Sequence, residues 1–273
     1  MNQLRLTRRA FGQAMALAMM TSIAALSAAS FGVHAARADA VEDITKAGVL
    51  KVGVFEDFPP FSFADTNLNL QGYDIDVANV LAKDLGVKVE LVGVTGQNRI
   101  PYLTEHKVDL LLSVGQNPER EKVIDFTDAY APYYITAMAP KSVAIKAPAD
   151  LKGKTVAVNR GTMEDTELTK VAPADTDIQR YSDYNGVISA FLSGQAQVMV
   201  VGNDVGATIM AKHPPIDPEP KFDLMSSPDH IALNKNEPAL KAKVNATIAR
   251  MRQDGSLNQI SQKWLLLPLP KDF

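Results

Sequence analysis

From residue 49 onward the chain alternates strand-like and helix-like segments, and it runs that alternation twice. Val49-Leu50-Lys51-Val52-Gly53-Val54 reads as a buried strand. Residues 74–85 then place Ile75, Ala78, Leu81, Ala82 and Leu85 at helical spacing, with Asp74 to cap the start and Gly86 to end it. Residues 87–92 alternate as a strand, a short helix follows over 100–105, and Val108–Leu112 is a third strand. After a stretch without clear period, residues 140–150, the order restarts. A strand falls at 154–159, a helix begins near Thr162, another spans 184–192 and stops at Gly194, and a strand follows at 198–201. Segments 98–115 and 185–202 share one helix, turn, strand and Gly layout without sharing sequence. Repeated strand–helix–strand units predict mainly parallel sheets flanked by helices. Two such units predict two lobes, with a ligand between them at the carboxyl ends of the strands.

The closing segment is helical. Leu240, Val244, Ile248 and Met251 line one face, Asp254-Gly255 interrupts it, and Ser256 with Gln259 has the pattern of a capping box. The N-terminus has another character. Arg5, Arg8 and Arg9 precede an apolar, small-residue stretch over residues 11–31, and Ala-Arg-Ala-Asp-Ala closes it at 36–40. That order is a secretory signal peptide, with cleavage after Ala38 or Ala40, and Thr7-Arg8-Arg9-Ala10-Phe11 gives it a twin-arginine character. Without residues 1–40 the chain has 24 basic and 30 acidic residues, a net charge of -6. Such an acidic chain lacks the electrostatic footprint of a nucleic-acid binder. With no cysteine it has no disulfide, thiolate nucleophile or cysteine-ligated metal. The His residues have no metal spacing, so no metal and no cofactor is expected. Gly153-Lys154-Thr155 ends like a phosphate loop, but Pro148 holds the first Gly position and a strand follows where a helix belongs.

A small amino acid entering a cleft needs strong donors for its carboxylate. A planar Arg fork supplies two parallel charge-assisted bonds, and a helix N-terminus adds backbone N–H groups. Candidates stand at strand ends: Phe58 after the first strand, Ser113 and Gly115 after the third, and Arg120 shortly beyond. In the second unit Gly161 and Thr162 join strand to helix, and Gly202, Asn203 and Asp204 follow the last strand. Arg99, at the start of its short helix, is either a second anion contact or a surface charge.

Taken together these segments resemble the extracellular solute-binding proteins of polar amino-acid uptake, family 3, the periplasmic component of ABC transporters. The resemblance rests on five motifs in order: Gly53–Phe61 as first strand and aromatic turn, Gly72-Tyr73-Asp74-Ile75-Asp76 as a helix start, Asn117-Pro118-Glu119-Arg120 with Asp125-Phe126-Thr127, Leu151–Thr162 as a second-lobe opening, and Ala232–Trp264 as a closing pattern. It implies a two-lobed periplasmic-binding-protein fold of type II with two hinge crossovers, near 134–138 and 229–233. Lobe one would hold 41–135 plus 230–273, and lobe two 136–229. By position it implies that Phe58 covers the ligand, Ser113 and Gly115 offer polar groups, Arg120 clamps the carboxylate, and Thr162 adds donors. Gly202 falls where many relatives place an Asp that accepts the ligand ammonium, so Asn203 or Asp204 would have to substitute. The implied function is capture of an amino acid or similar small carboxylate by a periplasmic monomer, without catalysis, and delivery to a membrane permease. Two other classes stay open. One is a cleft enzyme of the same fold, such as a cyclohexadienyl (arogenate or prephenate) dehydratase, with Glu164 or Asp204 as its acid. The other is a sensor, disfavoured because the chain ends at Phe273 without a span or signalling domain.

Overall fold

A computed structural model describes residues 40–271 and Phe273. The signal-peptide reading therefore lies, Ala40 apart, outside the described residues. Helix α1 (Ala40–Ala47) leads into β1 (Val49–Val54), and the hairpin segments β2 (Asp57–Phe58), β3 (Ser62–Ala64) and β4 (Leu70–Gln71) follow. Next come α2 (Tyr73–Leu85), β5 (Lys88–Gly93), α3 (Arg99–Thr104), β6 (Leu110–Gly115), α4 (Pro118–Glu121) and β7 (Ile124–Ala131). The second run comprises β8 (Tyr134–Pro140), β9 (Thr155–Asn159), α5 (Met163–Val171), β10 (Asp177–Tyr181), α6 (Tyr184–Leu192), β11 (Val198–Gly202), α7 (Asn203–Met210) and β12 (Pro218–Ser226). The chain then returns through β13 (Asp229–Asn234) to α8 (Pro238–Gln253) and α9 (Ser256–Trp264).

Two five-stranded sheets result, in orders β5-β1-β6-β13-β7 and β10-β9-β11-β8-β12. In each, the first three strands are parallel and the last two pair antiparallel. β6 and β11, the two strands of the repeated layout, hold the same place in their sheets. The chain passes from the first sheet to the second at Pro132-Tyr133 and returns at Ser227-Pro228. These passages lie side by side, and the Ser227 N–H donates to the Tyr133 carbonyl at 2.9 Å.

Sequence and structure diverge at two helix starts, once through partners far along the chain and once through a neighbouring glycine. Asp74 does not cap α2. Gly72 takes that position, and Asp74 is buried within the first turn, accepting from Ser113 and Tyr130. The capping box at Ser256 and Gln259 is likewise absent. Gly255, in the left-handed region at φ 77°, is the N-cap, and Ser256 Oγ turns back toward the Met251 carbonyl. Gly86 ends α2 as expected, at φ 72°, with its N–H on the Ala82 and Lys83 carbonyls. Leu240, Val244, Ile248 and Met251 are all buried on one face of α8. A smaller apolar cluster, including Leu103, Val108, Leu111 and Phe126, anchors α3 against the first sheet. That anchoring fixes the base of Arg99.

Candidate functional site

A small cavity lies where the carboxyl ends of both sheets face each other. Phe58, Arg99, Ser113 and Gly115 reach it from the first sheet's side, and Met163, Glu164 and Tyr184 from the second's. Tyr133, Ser227 and Asp229 complete it from the two passages between sheets. The lobes are closed around it. Phe58 and Tyr184 stack across the divide with ring centroids 4.5 Å apart. Asp57 Oδ2 accepts from the Asn185 N–H of α6 at 2.7 Å, again across the divide. Glycine permits the close approach at two points. A Cβ on Gly96 would lie 2.3 Å from the Arg160 carbonyl oxygen, and one on Gly115 would lie 2.6 Å from Met163 Cγ and from Ser227 Oγ.

The first-sheet wall is cationic. Arg99 is buried, so the surface reading of it does not hold. Its Nη1 donates to the Ser113 carbonyl at 2.8 Å, and its guanidinium stands 5.1 Å from the Phe55 ring centroid. Its Nε is buried without a protein partner. Ser113 adopts φ 51°, unusual outside glycine. That turn sends its Oγ to Asp74 Oδ2 at 2.7 Å and its N–H to the Tyr130 phenol at 2.8 Å. Asp74 is pushed up to about 6 by burial, against the pull of its Tyr130 and Ser113 donors. Arg120 spends two donors on carbonyls: Nη1 on Gly115 at 2.7 Å and Nη2 on Gly161, across the divide, at 3.3 Å. Burial, and next the Arg99 charge, push its pKa downward. Two guanidiniums without a neutralising ion pair among the described residues make this wall a seat for an anion.

The second-sheet wall is aromatic and acidic. Glu164 Oε1 accepts from the Tyr133 phenol at 2.6 Å and from the Tyr184 phenol at 3.1 Å. Burial and the Glu164 charge hold both phenols well above the usual tyrosine range, so each remains a donor. Asp229 belongs to neither outer wall: it begins β13 of the first sheet beside the passage, is 3% exposed, and its Oδ2 has no partner among the described residues. Burial, then the Asp74 and Glu164 charges, push its carboxyl well up.

Of the residues singled out in the sequence, Phe58, Ser113, Gly115 and Arg99 are brought together on the cavity. Arg120 and Gly161 stand beside it and bond each other across the lobes. Thr162 turns its hydroxyl to the Asn159 carbonyl at 2.8 Å, closing its own turn rather than facing the cavity. Asn203 and Asp204 do not reach the cavity. α7 begins at Asn203, so Asn203 Oδ1 accepts from the Tyr134 N–H, and Asp204 lines a separate groove with Pro60, Phe63 and Trp264. Tyr133, Met163, Tyr184, Ser227 and Asp229 were not found from sequence. Tyr133, Ser227 and Asp229 flank the two passages, and that location was their only signal.

Two lobes closing on a cavity with charged walls of opposite sign define a ligand-trapping protein of the type II binding-protein architecture. The model of the bacterial extracellular solute-binding proteins, family 3, matches residues 50–267, and the chain belongs to that family. Among curated relatives, the L-cystine-binding protein TcyJ of Escherichia coli (strain K12) is 30% identical over 270 residues, covering 95% of this chain and 96% of that protein. The glutamate/aspartate import solute-binding protein of Salmonella typhimurium is 29% identical over 271 residues, covering 93% and 88%. Among solved structures, an ancestral amino acid-binding protein described as a precursor of cyclohexadienyl dehydratase superposes with a TM-score of 0.78 at 33% identity, covering 83% of this chain and 99% of that one.

Proposed function

We propose that this protein captures an amino acid, or a similar small carboxylate, in the cavity and delivers it to an ABC-transporter permease from the periplasm. The carrying observation is the buried Arg99 guanidinium lining a closed cavity, with Arg120 behind it and no carboxylate bonded to either. That seat suits a ligand carboxylate, and Phe58 stacks on Tyr184 beside it across the divide. The names of the relatives, which cite cystine, glutamate and aspartate, support the amino-acid class. One chain supplies every wall, which favours action as a monomer. The two bodies that hinge divide at Pro132-Tyr133 and Ser227-Pro228, two to three residues before the bounds of 135 and 229 expected from sequence, and residues 1–40 are the export signal, cleaved after Ala38 or Ala40. Phe58, Ser113, Gly115, Arg99, Arg120 and Gly161 bind or frame the ligand, and Thr162 supports the turn beside it.

Binding rather than catalysis is favoured because Glu164 already accepts two phenols, which suits a fixed acceptor better than a proton donor. A dehydratase reading draws on one observation, the raised carboxyl of Asp229 in the cavity. A thermal-shift screen of residues 41–273 against the twenty amino acids, arogenate and prephenate separates the two. A ligand present at about a thousand times its Kd adds about 4 kcal/mol of stability. A selective stabiliser recovered unchanged supports capture. Turnover of arogenate or prephenate, or no stabiliser at all, overturns it.

A further inference from the structure

The anion seat accounts for one end of an amino acid. The other end, a protonated amine leaving water, needs an acceptor whose lone pairs are not already spent. Lobe two offers none at the end of β11. Gly202 has no side chain, and the Tyr133 ring fills its place so closely that a Cβ there would lie 2.2 Å from two ring carbons and 2.3 Å from the phenol oxygen. Asn203 Oδ1 is taken by the Tyr134 N–H, and Asp204 faces another groove. Asp74 has one oxygen on Ser113 and the other on Tyr130. Glu164 lines the cavity with Oε1 fixed by two phenols, and its Oε2 is the rival acceptor that the Asp229 variant below separates. Asp229 lines it as well, is buried, and has an Oδ2 that nothing satisfies.

We propose that Asp229 is the acceptor for the ligand's ammonium group, and that it makes a primary amine a requirement for tight binding. The inference rests on the amino-acid reading above and adds to it where the amine goes. Position 229 begins β13, immediately after the Ser227-Pro228 passage, so the amine is held by the hinge and not by either lobe's outer wall. The geometry is self-consistent. Tyr133 occupies the space at Gly202 and turns its hydroxyl to Glu164, which leaves the floor beside Ser227 to Asp229. Burial and the neighbouring acids hold the carboxyl toward its neutral form while the site is empty, and an arriving ammonium favours the carboxylate, whose proton is released on binding.

The test pairs each amino acid that stabilises the protein with its 2-hydroxy acid: lactate for alanine, 2-hydroxyglutarate for glutamate, phenyllactate for phenylalanine. Calorimetric titration of the unmodified protein is expected to show the amino acid binding at least ~30-fold tighter than its hydroxy partner, the size of effect seen when a buried charge loses its partner. Asp229→Asn is expected to weaken the amino acid by at least ~30-fold and to leave the hydroxy acid within about threefold, erasing the preference. Equal affinity of the unmodified protein for both members of a pair overturns the proposal, whether or not the variant folds. So does a variant that keeps the preference. Either of these results leaves amino-acid capture standing, whereas failure of every amino acid to bind removes both readings together.

Discussion

The carboxyl ends of β6 and β11 hold the same place in their sheets, yet they do opposite things. At the end of β6, Ser113 turns into the left-handed region, its carbonyl accepts from Arg99, and the Gly115 carbonyl accepts from Arg120. At the end of β11, Gly202 presents no side chain and is covered by Tyr133. Repetition of the fold sets where the two walls meet. The chemistry of each wall is set by what reaches it from elsewhere: guanidiniums from α3 and α4 on one side, and a hinge phenol on the other. A repeated architecture therefore does not imply a repeated half-site.

The strongest way to break this contrast is at the β6 end. Arg99→Ala is expected to weaken ligand binding by about 2–5 kcal/mol, since it removes one member of a desolvated charge pair. Calorimetry that finds Kd within threefold of the parent would place the anion elsewhere. At the β11 end, Asp204→Asn should leave affinity unchanged and alter stability instead. Burial pushes Asp204 up to about 6. Its folded pKa thus exceeds the unfolded value, and the native state holds the extra proton between them. The carboxyl therefore costs nothing below about pH 4, its cost grows as pH rises toward 6, and it is fully present above that. Urea unfolding is expected to show the variant more stable by up to about 3 kcal/mol at pH 7, with the gain gone near pH 4. A gain that persists at pH 4 would show that the charge is not its source.

Gly202→Ala tests the packing directly. The added methyl overlaps the Tyr133 ring and should cost about 1–3 kcal/mol in thermal unfolding. The loss should largely vanish in a Tyr133→Ala background, and additive losses would mean that the two positions do not compete for space. The smallest effect is expected at Thr162→Val. It removes the hydroxyl bond to Asn159 for about 1 kcal/mol of stability, with Kd within twofold. A tenfold loss of affinity would return Thr162 to the ligand.

Much of this was legible in the sequence, for a physical reason. Periodicity, Gly86 at a helix end and the doubled strand order are local signals, and they located both sheets and the strand ends that face the cavity. Most failures have the opposite property. Asp74 carries a local capping pattern that distant partners override, and Ser256 one that the left-handed Gly255 beside it displaces. Tyr133 and Asp229 matter only because two passages, far apart in the chain, lie side by side. Arg99 was ambiguous because an Arg at a helix start is a surface residue unless the face beneath it is sealed, and here Phe55 and Tyr184 seal it. Arg120 was read as a clamp from its place after a strand, and its bonds to the Gly115 and Gly161 carbonyls had no signal in the sequence.

The bond from Asp57 to the backbone of Asn185 forms between protein groups alone. It lowers the cost of closing with nothing inside, and so raises the fraction of idle molecules that present the shape of a loaded one. That fraction is a background any receiver of the closed shape must tolerate. The strength of this latch, with that of the Arg120–Gly161 bond, shifts the balance between swift capture and false delivery.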